Sequence, residues 1–134
     1  MKLKAHHHCV YNLTYHLVLV TKYRKKCFTT EILDSLKEIF HKLSDKWEIE
    51  LLEFNGQQDH IHLLLATHPN IKMSSLVNNF KTVSSRLIRK KFSKHLSKFY
   101  WKPVLWTRAY CLITTGGATI DIIKKYIEKQ DKIT

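Results

Sequence analysis

Residues 48–67 read EIELLEFNGQQDHIHLLLAT, two strand-like runs on either side of NGQQD. Asn55-Gly56 is a strong signal for a tight turn, so 48–54 and 60–67 are expected to form a β-hairpin. Working back from it, TTEILDSLKEIFHKLSDKW (29–47) places Ile32, Leu36, Ile39, Phe40 and Leu43 on one helical stripe, and Thr29 or Thr30 offers an N-cap. Before that helix, VYNLTYHLVLVT (10–21) is rich in β-branched and aromatic residues and reads as a buried strand. Working forward, MSSLVNNFKTVSSRLIRKKF (73–92) repeats Leu76, Phe80, Val83 and Leu87 at helical spacing. RAYCLITT (108–115) is strand-like, Gly116-Gly117 is a break, and TIDIIKKYIEKQ (119–130) is a short final helix within about 118–131. The order β-α-β-β-α-β-α predicts an α+β fold. Its first six elements make a ferredoxin-like split βαβ sandwich (βαββαβ) with an antiparallel sheet, and the C-terminal helix is an addition.

A chain of 134 residues is expected to form a single domain over 1–134, large enough for a core without staples. Its formal net charge of +12 favours a polyanionic partner, nucleic acid before membrane. No apolar run approaches the roughly 20 residues that span a bilayer. The first twenty residues begin basic, but His, Asn and Tyr interrupt the apolar stretch a secretory leader needs. Cys9, Cys27 and Cys111 are scattered and odd in number, which suggests a reducing cytosol and no disulfide frame. His6–His8 with Cys9 could bind zinc, although a strand-leading tail is the favoured reading.

Alternation along a strand turns His60 and His62 to one face and Ile61 to the other. Two imidazoles about 7 Å apart along a strand can converge on one ion. By itself the pair admits three readings: surface histidines, a structural metal clip, or ligands of a catalytic ion. A structural zinc site needs two more Cys or His at short spacing, and none stands nearby, which leaves an open site completed from elsewhere. In the last helix Tyr126 and Gln130, four residues apart, share a face beside the stripe of Ile120, Ile123 and Ile127. On helix statistics alone Tyr126 is a half-buried amphipathic residue and Gln130 a solvated one.

DHIHLLL (59–65), TKYRKK (21–26) and IKKYIEKQ (123–130) together resemble the single-tyrosine transposases of the IS200/IS605 insertion sequences. These belong to the HUH superfamily, named for its His–hydrophobic–His pair, and the resemblance runs from the first strand to Gln130. It implies that His60, His62 and Gln130 are metal ligands for Mg²⁺ or Mn²⁺ and that Tyr126 is the nucleophile. It implies cleavage and rejoining of single-stranded DNA at insertion-sequence ends through a 5′-phosphotyrosine, with recognition of DNA hairpins. It further implies a homodimer in which the tyrosine helix of one subunit completes the site of the other. The setting would be cytoplasmic, DNA-associated and prokaryotic, with no membrane and no small-molecule substrate. Tyrosine has a pKa near 10, so a further expectation is that Lys125 and Lys129 lower it.

The cations suit such a substrate. Lys22, Arg24, Lys25 and Lys26, with Tyr23 among them, and Arg86, Arg89, Lys90 and Lys91 on the second helix are expected to meet phosphates. KFYWKPVLWTR (98–108) interleaves aromatics with cations as base-stacking platforms do, although core packing is the expected role of Trp101 and Trp106. Two rivals remain: an RRM-like nucleic-acid-binding module, against which HIHLLLA argues because it lacks strand aromatics, and a metal-dependent nuclease using water.

Overall fold

The computed structural model describes residues 4–6, 9–116 and 120–130, with side chains described for 11–116 and 121–130. The elements are β1 (Lys4–His6), β2 (Cys9–Tyr11), β3 (Leu13–Val20), a 3₁₀ turn (Lys22–Arg24), α1 (Thr30–Lys46), β4 (Glu50–Gly56), β5 (His60–Thr67), α2 (Met73–Lys91), α3 (Ser93–Leu96), β6 (Cys111–Thr114) and α4 (Ile120–Lys129). The main sheet has the order β4-β5-β3-β6 with every neighbouring pair antiparallel. This is the split βαβ arrangement expected of the pattern, with α4 added.

The long first strand divides. Asn12, whose side chain accepts a hydrogen bond from Thr14 Oγ1 at 2.9 Å, lies at the break, and 9–11 pair with 4–6 rather than with the main sheet. The His6–His8 and Cys9 side chains, read above as a zinc site or a tail, lie outside the described ones.

Side-chain alternation sorts the sheet into two faces. Leu17 and Leu19 of β3 and Ile61, Leu63 and Leu65 of β5 point into one core with Ile32, Leu36 and Phe40 of α1 and Leu76, Val77 and Phe80 of α2. Thr29 is the N-cap of α1, accepting from Ile32 N at 3.2 Å. The helix stripe on α2 is rotated from the expected one: Ile88 is fully buried while Leu87 is exposed. The other sheet face carries a smaller cluster of Val18, Val20 and Cys111, on which Ile123, Tyr126 and Ile127 of α4 pack. Residues Leu17–Val20 are therefore buried from both sides, and β3 is the central beam of the molecule.

The hairpin forms, but its turn is displaced. Asn55 pairs with His62 and Gly56 with Ile61 inside the ladder, and the connection is Gln57–Asp59, closed by Gln57 N donating to His60 O at 2.9 Å. Gly56 has no positive φ, so turn geometry is not what it provides. A Cβ there would sit 2.5 Å from Leu33 Cδ2, so the glycine lets β4 approach α1. Gly56→Ala is expected to cost no more than about 1 kcal/mol, since Leu33 meets the new methyl only with the tip of a half-buried side chain that can turn aside. A denaturant titration checks this, and a larger loss would show that Leu33 cannot yield.

Candidate active site

His60 and His62 project from β5 onto the face covered by α4. Their ladder partners are Val20 and Val18 on β3, and Val18 also pairs with Cys111 of β6. Directly opposed residues share a face, so the two histidines, Val18, Val20 and Cys111 form one continuous surface. The apolar cluster on it receives Tyr126. The structure thus brings the histidine pair and the tyrosine to the same side of one sheet.

His60 is held by a chain of polar contacts that sequence reading missed. Its Nδ1 donates to Asp59 Oδ1 at 2.8 Å, and Asp59 Oδ2 accepts from Arg24 Nε at 3.4 Å. A carboxylate can only accept, so the proton sits on Nδ1 and the Nε2 lone pair is left for a ligand. Asp59 is itself fixed from behind, its carbonyl accepting from Thr21 N at 2.9 Å. The signal was in the sequence, since Asp59 immediately precedes His60 in DHIH.

His62 is engaged differently. Its Nε2 lies 2.7 Å from Nδ1 of His16, and the two rings stack with centroids 4.9 Å apart. His16 sits on β3 opposite Leu64, diagonal to His62, a relation that only strand register reveals. Burial first, and His16 next, hold the His62 pKa below the ordinary 6.5, over an opposing pull from Glu53. His62 is therefore neutral at pH 7 and has one nitrogen that donates and one that accepts. It can offer a lone pair through Nδ1, or through Nε2 by exchanging the His16 contact.

Tyr126 is poised unusually. Its hydroxyl is buried and has no hydrogen-bond partner among the described residues, and burial, reinforced by the Cys111 thiol, pushes its pKa up to about 12. This corrects the expectation that Lys125 and Lys129 lower it: both are exposed, while the phenol points into an apolar cluster. Desolvation of the phenolate outweighs charges that stay in water. Gln130 follows α4 by one residue, half-buried, with its backbone N–H on Ile127 O at 3.2 Å.

The expected DNA-binding residues separate into two groups. Lys22, Tyr23 and Arg24 form a tight turn beside the site, with Lys25 and Lys26 exposed after it. Tyr23 (φ 61°) and Arg24 (φ 51°) are both left-handed, a conformation costing about 1–2 kcal/mol per non-glycine residue. Thr21 Oγ1 donating to Lys25 O at 2.8 Å and Tyr100 Oη donating to Lys22 O at 2.6 Å hold the turn. Arg86, Arg89, Lys90 and Lys91 instead lie on α2, beyond the opposite face of the sheet. There Arg89 Nε donates to Ser85 Oγ at 3.0 Å, and Lys90 and Lys91 rim a groove of about 640 Å³ between α1 and α2. Trp106 is buried and donates to Ser84 Oγ at 3.0 Å, as core packing requires. Trp101, expected in the core, is 91% exposed.

Comparison with known proteins agrees along nearly the whole chain. The family profile described as "Transposase IS200 like" matches residues 9–130. The chain is 32% identical over 130 residues to the ISDra2 transposase TnpA of Deinococcus radiodurans, covering 97% of this chain and 92% of that protein. It is 32% identical over 123 residues to the transposase for insertion sequence element IS200 of Salmonella typhimurium, covering 92% and 80% respectively. The crystal structure of a transposase candidate from Deinococcus radiodurans superimposes with a TM-score of 0.87 at 34% identity, over 96% of this chain and 98% of that one. A REP-associated tyrosine transposase bound to a REP hairpin shares the fold at a TM-score of 0.51 and 12% identity, over 93% of this chain and 68% of that one. With the sheet order, the added helix and the sequence all in agreement, the chain belongs to the IS200-like transposase family.

Proposed function

We propose that this transposase cuts and rejoins single-stranded DNA at insertion-sequence ends, with Tyr126 as nucleophile. The observation that carries the reading is the placement of Tyr126 by α4 on the sheet face that presents His60 and His62. The phenolic oxygen bonds to phosphorus as the bond to the 3′ oxygen breaks. The phenol loses its proton and the departing 3′ oxygen gains one, leaving a 5′-phosphotyrosine and a 3′-OH. The phosphoryl bond energy stays in the covalent link, so the reverse attack by a 3′-OH rejoins strands without ATP.

Among the described residues no three His, Cys, Asp or Glu side chains are grouped to hold a metal ion. His60 and His62 therefore need a donor of other chemistry, and the amide oxygen of Gln130, on the helix of the same face, is the one we assign. The donor set fits: His60 keeps Nε2 free because Asp59 engages Nδ1, and His62 is neutral. A bound Mg²⁺ or Mn²⁺ would neutralise charge on the scissile phosphate and on the leaving oxygen. Asp59 orients His60, and Arg24 holds Asp59.

The partner we propose is single-stranded DNA bearing hairpins, read through the formal charge of +12 and the two cation groups. A protein of the same fold has been solved bound to a REP hairpin, which supports this. We also propose a homodimer in which α4 of each subunit completes the histidine site of the other. In its own chain Tyr126 is docked with a hydroxyl that has no partner among the described residues and a raised pKa, which suits a resting position better than an attacking one.

Incubating the protein with hairpin-bearing single-stranded DNA and Mg²⁺ or Mn²⁺ is expected to give a denaturant-resistant protein–DNA adduct. Cleavage without adduct would identify a water-using nuclease, and binding without cleavage a module. Mixing His60→Ala with Tyr126→Phe protein is expected to restore adduct formation, because one of the two exchanged sites in the mixed dimer is then intact. No restoration would place α4 in its own subunit's site.

A further inference from the structure

We propose that Trp101, together with Lys102 and Tyr23, forms a stacking site for an unpaired nucleotide of single-stranded DNA beside the active site. This rests on the reading above that the substrate is single-stranded. Tryptophan is ordinarily well covered, and within the same short segment Tyr100 and Trp106 are 7% and 8% exposed. Trp101 is 91% exposed between them, so the segment anchors itself by its ends and holds one indole out.

The surroundings of that indole are those a nucleotide requires. Lys102 Nζ lies 5.7 Å from the centroid of Trp101 and 5.7 Å from that of Tyr23, so one ammonium bridges two rings. Lys22 Nζ lies 5.3 Å from the Tyr23 ring. A base offers a π-face to the indole while its phosphate meets the ammonium groups, the combination that binds unpaired strands without reading sequence. Among the described residues neither Lys22 nor Lys102 forms an ion pair with a carboxylate, so both charges are available.

The platform is also tied to the histidine site. Lys22 N donates to Leu105 O at 2.8 Å, Tyr100 Oη donates to Lys22 O at 2.6 Å, and Thr21 bridges to Trp106, lacing segment 100–106 to the turn at 22–24. In that turn, consecutive left-handed residues send Tyr23 toward Lys102 and Arg24 toward Asp59, which holds His60. A strand stacked on Trp101 is therefore led toward the histidine pair, and the strain in the turn has a use.

The test is fluorescence anisotropy with an unstructured oligothymidylate in EDTA, where neither metal nor nucleophile takes part. Trp101→Ala is expected to weaken binding roughly ten-fold, and Trp101→Phe to retain affinity within about three-fold. Both variants should melt as the wild type does, because the side chain is exposed. A blunt hairpin without single-stranded tails should bind all three proteins alike. The proposal is overturned if Trp101→Ala binds the oligothymidylate as the wild type does, if the wild type does not bind it, or if hairpin affinity falls equally. Loss of the covalent adduct in the earlier assay, with this binding intact, would overturn the tyrosine chemistry and leave the platform standing.

Discussion

Tyr126→Phe is expected to abolish the covalent protein–DNA adduct while making the folded protein slightly more stable. The activity loss should reach roughly three orders of magnitude or more, because no second nucleophile shares the role assigned to the phenol. The stability gain follows from the same oxygen: the Tyr126 hydroxyl is buried against Val18, Val20 and Cys111 without a hydrogen-bond partner among the described residues. Removing an unsatisfied buried polar group while keeping the ring should raise stability by about 1 kcal/mol. Adduct gels and a denaturant titration read the two effects separately. An adduct that persists in the variant sinks the nucleophile assignment, and a destabilised variant shows that the hydroxyl finds a partner in solution. The opposed signs matter, since a purely structural tyrosine gives no reason for activity to collapse while stability rises.

The second large effect concerns the histidines and the carboxylate behind them. His60→Ala and His62→Ala should each remove measurable Mn²⁺ binding, followed by electron paramagnetic resonance without any DNA present. Asp59→Asn should weaken the ion by about 10–100-fold, because it loosens the Nδ1–H of His60 and releases Arg24. An Asp59→Asn protein with wild-type Mn²⁺ affinity would show that the contact only fills space. The ion should also be sensitive to acid. His62 has its pKa held below 6.5, so it stays neutral through pH 7 and competes poorly for the ion only when protons reach it at lower pH. In the unfolded chain the same imidazole takes its proton nearer the ordinary value. Stability linked to His62 is therefore intact above about pH 6.5 and is lost as the pH falls through the lower folded value.

Much of this was legible in the residues. Periodicity gave the order of the elements, because each strand or helix must hide one face and the spacing of apolar residues records which. The His–Ile–His alternation placed both imidazoles on one side of β5, and the structure keeps them there. Local pattern failed where a residue's role depends on what is brought against it. Gly56 looked like a turn residue and is instead the gap through which β4 approaches Leu33. Trp101 and Trp106 look alike in KFYWKPVLWTR, yet one is held in solvent and the other is sealed against Ser84. The strand expected over 10–21 breaks at Asn12, and 9–11 pair with 4–6 instead, a partner that hydrophobicity does not register.

The sequence by itself determined the layered α+β fold and the basic character, because these rest on residue type and spacing along the chain, whereas roles for His60, His62 and Tyr126 came only as what the resemblance to single-tyrosine transposases implies. The tertiary structure alone decided which groups act on one another. His16 meets His62 across a strand register, and Arg24 reaches Asp59 through a strained turn. The Tyr126 phenol has its pKa raised to about 12 by burial, where sequence neighbours suggested the reverse. The physical reason is range: packing periodicity is written within a few residues, whereas desolvation and hydrogen bonding depend on atoms that folding gathers from distant parts of the chain.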